Sequence, residues 1–246
     1  MSNMEKSQKK ITMSKTNKRR LQKDIVDIIK EPLTDNGIYY AHDEENMLKG
    51  YAIIFGPDDC IYRYGGYCFE FKFPYDYPFS PPKLKYITND NLTRFHPNLY
   101  RNGKVCISIL NTWKGEQWTS CQSIKSVLLM LVTLLHNKSL LNEPGIKETH
   151  SSFKAYHDII TYKNLEIAIL RNLKKEKLHL MGKCSVFYQI YVNYIKKNKD
   201  NILNYIQKLK KNNKETKEIC ARIYNMSCLI DYTNLYIEFE KIFTEI

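Results

Sequence analysis

The chain has 246 residues, 43% hydrophobic and 13% aromatic, which suffices for one ordinary domain with a sizeable appendage and excludes a wholly disordered protein. The formal net charge of +12 is unevenly spread: residues 1–23 carry eight Lys/Arg against one acid, residues 166–217 thirteen against four, and the remainder is net −4. That distribution favours solvated basic faces and an acidic protein partner over a dedicated nucleic-acid groove.

Residues 1–16 are Lys- and Ser-rich without apolar periodicity and read as a disordered basic tail. No secretory-type apolar core is present there, so the expected location is cytoplasmic, nuclear or both. A helix is expected from about Asn17 to Lys30. Leu21, Ile25, Ile28 and Ile29 make one apolar stripe, Arg19, Arg20 and Lys23 lie off it, and Glu31-Pro32 ends it. Three strand-like runs follow, Ile38–Ala41, Tyr51–Phe55 and Tyr67–Phe73, separated by Gly56-Pro57-Asp58-Asp59 and Gly65-Gly66. Short connections imply an antiparallel meander. The prolines between Phe73 and Lys83 rule out regular structure there, and Lys83–Ile87 supplies a fourth strand.

Thr119-Ser120-Cys121-Gln122 has the form of a capping box opening a helix with Ile124, Val127, Leu128, Leu131 and Leu135 on one face, packed across the sheet. The most apolar stretch, Val127 to Leu135, is far too short for a membrane span, and no membrane association is expected. Asn142-Glu143-Pro144-Gly145 is a turn. From Ser151 onward the chain reads as helices only, with stripes at Phe187, Ile190, Tyr191, Tyr194 and Ile195, at Ile202, Tyr205, Ile206 and Leu209, and at Leu235, Phe239 and Phe243. The order helix, meander, helix, further helices is an α+β arrangement.

Seven cysteines, none in a C-x-x-C pair and none spaced with His for zinc, argue against a disulfide framework or a bound metal and suit a reducing compartment. Cys106 stands apart. The run His96-Pro97-Asn98, the turn dipeptide Asn102-Gly103, then Cys106-Ile107-Ser108-Ile109-Leu110 delivers one thiol into a short apolar segment eight residues after an Asn. A small buried thiol is the plain reading of such a cysteine.

The run from His96 to Leu110 nevertheless resembles the active-site signature of ubiquitin-conjugating enzymes. Lys18 to Asp24 resembles their first helix, Phe73-Pro74 through Pro81-Pro82 their proline-rich connection, and Trp118 to Ser123 the segment before their second helix. Tyr100 to Cys106, Thr112-Trp113-x-Gly115 and Asn142-Glu143-Pro144-Gly145 are similar to the Z-type, C-terminally extended subclass. Departures are the missing Pro before Tyr62–Gly66, Ser120 where Pro is usual, and Cys121 where Ala is usual; they bear on ligase docking. The resemblance implies a conjugating core over residues 17–165 with an N-terminal helix, a four-stranded antiparallel meander and a central helix, then a helical extension over residues 166–246.

The resemblance further implies acyl transfer by covalent catalysis. Cys106 would take ubiquitin or a ubiquitin-like modifier from an activating enzyme as a thioester and pass it to a substrate lysine or a ligase, with no cofactor of its own, since ATP is consumed by the activating enzyme. Asn98 would either donate to the oxyanion or tie down the loop before Cys106. His96 and Pro97 would be structural, Trp118 would support packing, and Trp113 would cover the site. Glu143 is either the carboxylate that orients the incoming lysine or a solvated turn acid. Arg19, Arg20 and Lys23 would engage the activating enzyme, unless they merely solvate the helix. Phe79, Ser120 and Cys121 would form the ligase-docking edge, with Phe79 as plain core the other reading. Two further functions compete: a non-catalytic ubiquitin-binding scaffold of the same fold, against which Cys106 with an intact His96-Pro97-Asn98 argues, and a nucleic-acid binder using the basic arms and the Tyr and Lys residues near 188–208.

Overall fold

The computed structural model describes residues 12–246. Most of the tail expected over residues 1–16 lies outside them, and its last two residues are helical. Ser14 accepts the Asn17 N–H (3.1 Å) and so starts α1 (Lys15–Lys30) earlier than the apolar stripe suggested. Leu21 and Ile28 are buried from its inner face.

The meander follows as β1 (Ile38–His42), β2 (Lys49–Phe55), β3 (Gly66–Lys72) and β4 (Lys83–Tyr86), antiparallel in the order β1-β2-β3-β4. Tyr51 through Phe55 are buried at consecutive positions, as happens when both faces of a sheet are covered. Opposite pairs such as Ile53 and Cys68 share a face, which meets the C-terminal extension. There Phe55 stacks on Tyr191 (5.9 Å, 9°) and lies 3.9 Å from the Tyr194 ring, while Tyr51 and Lys183 both bind the Asp43 carboxylate.

The helix expected after the capping-box tetrad begins later. Gln122 does reach back to the Thr119 N–H (3.1 Å), but this closes a turn; Ser123 is the N-cap of α2 (Ile124–Thr133), with Ser126 completing the box. The expected stripe of α2 is buried, and its principal helical neighbour is α1. Arg20 ties these parts together. It pairs with Asp24 (3.0 Å) and donates to the carbonyls of Ser120 (2.5 Å) and Gln122 (2.6 Å), while Tyr77 donates to Asp24.

α3 (Phe153–Lys163) runs on through a wider π-type stretch, Asn164–Arg171, so the 165/166 boundary falls within one continuous helix. It can lie so close to the sheet because Gly65 has no side chain, and Gly66 makes the same room for Tyr191 of a later helix. A Cβ on Gly65 would stand 2.1 Å from the Asn164 side-chain oxygen, and one on Gly66 2.5 Å from the Tyr191 ring. Short 3₁₀ turns between Lys175 and Phe187, broken at Gly182 (φ +55°), then lead to α4 (Tyr188–Lys197) and α5 (Lys199–Asn212).

The helices-only expectation fails next. β5 (Lys217–Ala221) and β6 (Met226–Ile230) form an antiparallel hairpin against α3, before α6 (Tyr232–Glu245). β6 does alternate, with Met226, Cys228 and Ile230 buried, but β5 is mostly exposed and carries little periodic signal. The tyrosines near 188–208 serve packing: Tyr191 is fully buried, and Tyr205 lies under Arg63 at 4.4 Å. Among the described residues no helix is long and apolar enough to cross a membrane, and no group of three or more His, Cys, Asp or Glu could hold a metal.

Candidate active site

The site is built on the loop between β4 and α2. Asn102-Gly103 makes the expected turn, with Gly103 at φ +84° and its carbonyl accepting from Tyr86 N–H (2.7 Å). That turn folds Leu99 and Val105 into an antiparallel bridge and brings Cys106 back beside Asn98. The two residues are locked twice. Cys106 N–H donates to the Asn98 carbonyl (2.9 Å), and the Asn98 amide Nδ2 donates to the Cys106 carbonyl (2.6 Å). Downstream, the Thr112 hydroxyl accepts the Ile107 N–H (3.0 Å), and a 3₁₀ turn, Ser108–Leu110, closes at Asn111.

Cys106 exposes only 2% of its surface. Beside it opens a cleft of about 300 Å³ lined by Asn98, Ile107, Ser108, Trp113, Met130, Leu134 and Asn142. Asn98 and Ile107 are the hydrogen-bond partner and the chain neighbour of Cys106, so the cleft borders the loop that carries the buried thiol. Trp113 stands on the wall of the cleft.

His96 is fully buried, and its Nδ1 accepts the Asn98 N–H (3.0 Å), so the ring proton resides on Nε2. Burial, helped by His136 and Arg94, holds its pKa down to about 3. The ring is buried and ties the loop through the Asn98 N–H. Because the native ring refuses a proton that the unfolded chain binds below about 6.5, stability is greatest above that pH and falls as pH drops towards 3. His42 and His157, also lowered by burial, act in the same direction. The denaturant midpoint is therefore expected to be lower at pH 5 than at pH 7.5, with a shallower dependence in His96→Gln; parallel pH profiles for the two proteins would show that His96 does not contribute.

Arg94, which sequence reasoning missed, clamps this loop. Its Nε donates to the His96 carbonyl (3.2 Å) and its Nη2 to the Pro97 carbonyl (2.6 Å), while the guanidinium lies 3.4 Å from the Tyr100 ring centroid. Nothing in the sequence separates Arg94 from the other basic residues. Asn142 was missed as well; its amide approaches the Asn98 side-chain oxygen (3.5 Å) and carries the turn with Glu143 to the cleft.

Glu143 is partly exposed, and its Oε2 accepts from the Tyr224 hydroxyl (2.5 Å). It is thus near Asn98 through its neighbour Asn142, and it is not a freely solvated acid. The Trp118 indole donates to the Pro78 carbonyl (2.7 Å), tying the loop of Phe79 to that of Ser120. Phe79 is 71% exposed, which excludes the core reading, and Ser120 and Cys121 are exposed as well. On α1 the three basic residues part company. Arg19 and Lys23 are exposed, but Arg20 is committed to Asp24 and the two carbonyls, so the expectation of a free three-residue face is corrected to two.

The family model described as "Ubiquitin-conjugating enzyme" matches residues 20–163. The chain is similar to ubiquitin-conjugating enzyme E2 Z of Xenopus tropicalis, 41% identical over 168 residues, 67% of this chain and 51% of that protein. E2 Z of Homo sapiens is 42% identical over 153 residues, 61% of this chain and 43% of the human protein. The human dual E2 ubiquitin-conjugating enzyme/E3 ubiquitin-protein ligase BIRC6 is 37% identical over 142 residues, 54% of this chain and 3% of its own length. The chain spans about half the length of the E2 Z proteins it matches.

Proposed function

The chain belongs to the ubiquitin-conjugating enzyme family, close to the Z-type, and from that premise we propose that it carries ubiquitin or a ubiquitin-like modifier as a thioester on Cys106. The observation that carries this reading is the double lock between Asn98 and Cys106 beside the cleft. It fixes the backbone of Cys106 against Asn98, a residue that lines the cleft, and covalent catalysis requires a nucleophile held in place.

In the loading step the Cys106 thiolate attacks the carbonyl that joins the modifier's C-terminus to the activating enzyme's sulfur, and that sulfur leaves as thiolate. In the second step a lysine amine attacks the same carbonyl, or a ligase cysteine does so first. Asn98 holds the loop through one amide N–H, and its other N–H is available to the oxyanion. Glu143 offers a carboxylate to the incoming ammonium. Arg19 and Lys23 form the face for an acidic surface of the activating enzyme, and Phe79, Ser120 and Cys121 form the edge for a ligase. A scaffold role without catalysis would need neither the cysteine nor its lock.

The test is a charging assay that crosses two activating enzymes with several modifiers in the presence of ATP, read on non-reducing gels. A reductant-sensitive adduct with one or more combinations is expected; binding of modifier without any adduct would favour the scaffold. Glu143→Ala is expected to load normally yet discharge to free lysine at least about tenfold more slowly. Discharge at the wild-type rate would leave Glu143 only its place in the turn.

A further inference from the structure

We propose that Tyr224, on the turn of the C-terminal hairpin, is a positioning residue for Glu143, so that the extension completes the aminolysis site. The proposal rests on the reading of Cys106 as the acyl carrier. Tyr224 lies 81 residues beyond Glu143, yet its hydroxyl donates to Glu143 Oε2 at 2.5 Å. Among the described residues Oε1 accepts no hydrogen bond, which leaves the second oxygen for an incoming ammonium.

The phenol is held from several sides. Asn225, at φ +47°, ends the turn Arg222–Tyr224, and Arg101 donates to the carbonyls of both Tyr224 and Asn225. Met226, the next residue, offers its sulfur to the Arg94 N–H (3.2 Å). The Tyr224 ring packs on Tyr156 (5.9 Å, 64°), with the Arg94 guanidinium 5.1 Å from its centroid. Arg94 is the side chain that clamps His96 and Pro97, so one cation ties the hairpin turn to the loop of the nucleophile. Burial and the neighbouring Glu143 raise the phenol well above its ordinary pKa, so it remains a donor throughout the working range of pH.

The chemistry gives this bond a purpose. A glutamate on a partly exposed turn samples many rotamers, and fixing one oxygen removes most of that freedom before substrate arrives. In aminolysis the ammonium first gives up a proton, and its nitrogen then attacks the thioester carbonyl. The C–N bond forms, the C–S bond breaks, Cys106 leaves as thiolate and the nitrogen loses its second proton to solvent. Glu143 assists where the ammonium docks and first deprotonates.

The test uses the full chain with Tyr224→Phe, which keeps the ring against Tyr156 and Arg94 and removes only the hydroxyl. Loading from the activating enzyme should match wild type, while single-turnover discharge to free lysine should slow about tenfold, the order expected for losing one hydrogen bond to a charged group. Discharge to hydroxylamine, which is uncharged and already nucleophilic, should be unchanged. In a Glu143→Gln background, Tyr224→Phe should add nothing further. Wild-type lysine discharge by Tyr224→Phe, equal slowing with both nucleophiles, or additivity with Glu143→Gln would each overturn the proposal and reduce Tyr224 to packing. If the wild-type chain forms no thioester, the parent reading fails on that control alone, before any Tyr224 variant is compared.

Discussion

Cys106→Ala is expected to abolish thioester formation outright, and Cys121→Ser to retain it. The argument is chemical before it is structural. A thioester is close in energy to the thioester it replaces yet labile to an amine, whereas an oxygen ester discharges poorly. Cys106→Ser is therefore expected to yield a reductant-resistant adduct without turnover. Seven thiols could compete for the assignment, but Cys60, Cys68, Cys184 and Cys228 are buried and do not line this cleft, and Cys121 and Cys220 are exposed with neither tied to Asn98. Burial also pushes the Cys60 and Cys228 thiols up to about 11, which makes them poor nucleophiles. Thiol-labelling reagents are expected to modify Cys121 and Cys220 first. Intensity of labelling and identity of the acyl carrier should therefore disagree, and only the acyl transfer assay reads the latter. Equal loading of Cys106→Ala and wild type would remove the assignment.

Asn98→Ala is the second large effect, and it should appear in two separate measurements. The substitution leaves the Cys106 carbonyl without its side-chain donor and the Asn142 amide without its acceptor, inside a segment where Asn98 itself is only 4% exposed. An unsatisfied buried backbone carbonyl costs about 1–3 kcal/mol, which a denaturant melt resolves. Discharge of the loaded, folded variant should in addition fall about 10²-fold, the magnitude for removing one oxyanion donor. A stability loss with wild-type discharge would assign Asn98 to the loop alone. Unchanged values of both would contradict the double lock as a functional element.

How much of this was legible depends on whether a residue's role leaves a periodic or local trace. The α1 stripe and the face of α2 follow from apolar spacing, because burial on one side imposes a period. The strands follow instead from apolar runs bounded by turn residues, since β2 and β3 are covered on both faces. The nucleophile loop follows from the Asn102-Gly103 turn and the His96 to Leu110 signature. Arg20 could be placed off the apolar stripe but not separated from Arg19 and Lys23, because its partners at Ser120 and Gln122 come from a distant loop. β5 escaped notice because a mostly exposed strand alternates weakly, and its partner β6 is only five residues long. Tyr224 acts through a tertiary contact over 81 residues, and Arg94 joins local carbonyls at His96 and Pro97 to the distant hairpin turn, so no periodic pattern marks either. The Gly65-Gly66 pair was visible as a turn; that it also admits Asn164 at the end of the core and Tyr191 of the extension is a matter of packing.

The central claim is that one sulfur carries another protein's C-terminus. Intact-mass analysis of the wild-type chain after incubation with an activating enzyme, ATP and modifier reads it most directly, followed by peptide mapping of the adduct under non-reducing conditions. The expected result is a gain equal to the modifier's mass less one water, lost on adding a thiol reductant and mapped to the peptide containing Cys106. An adduct on any other cysteine, or no adduct with every combination of activating enzyme and modifier, would contradict it.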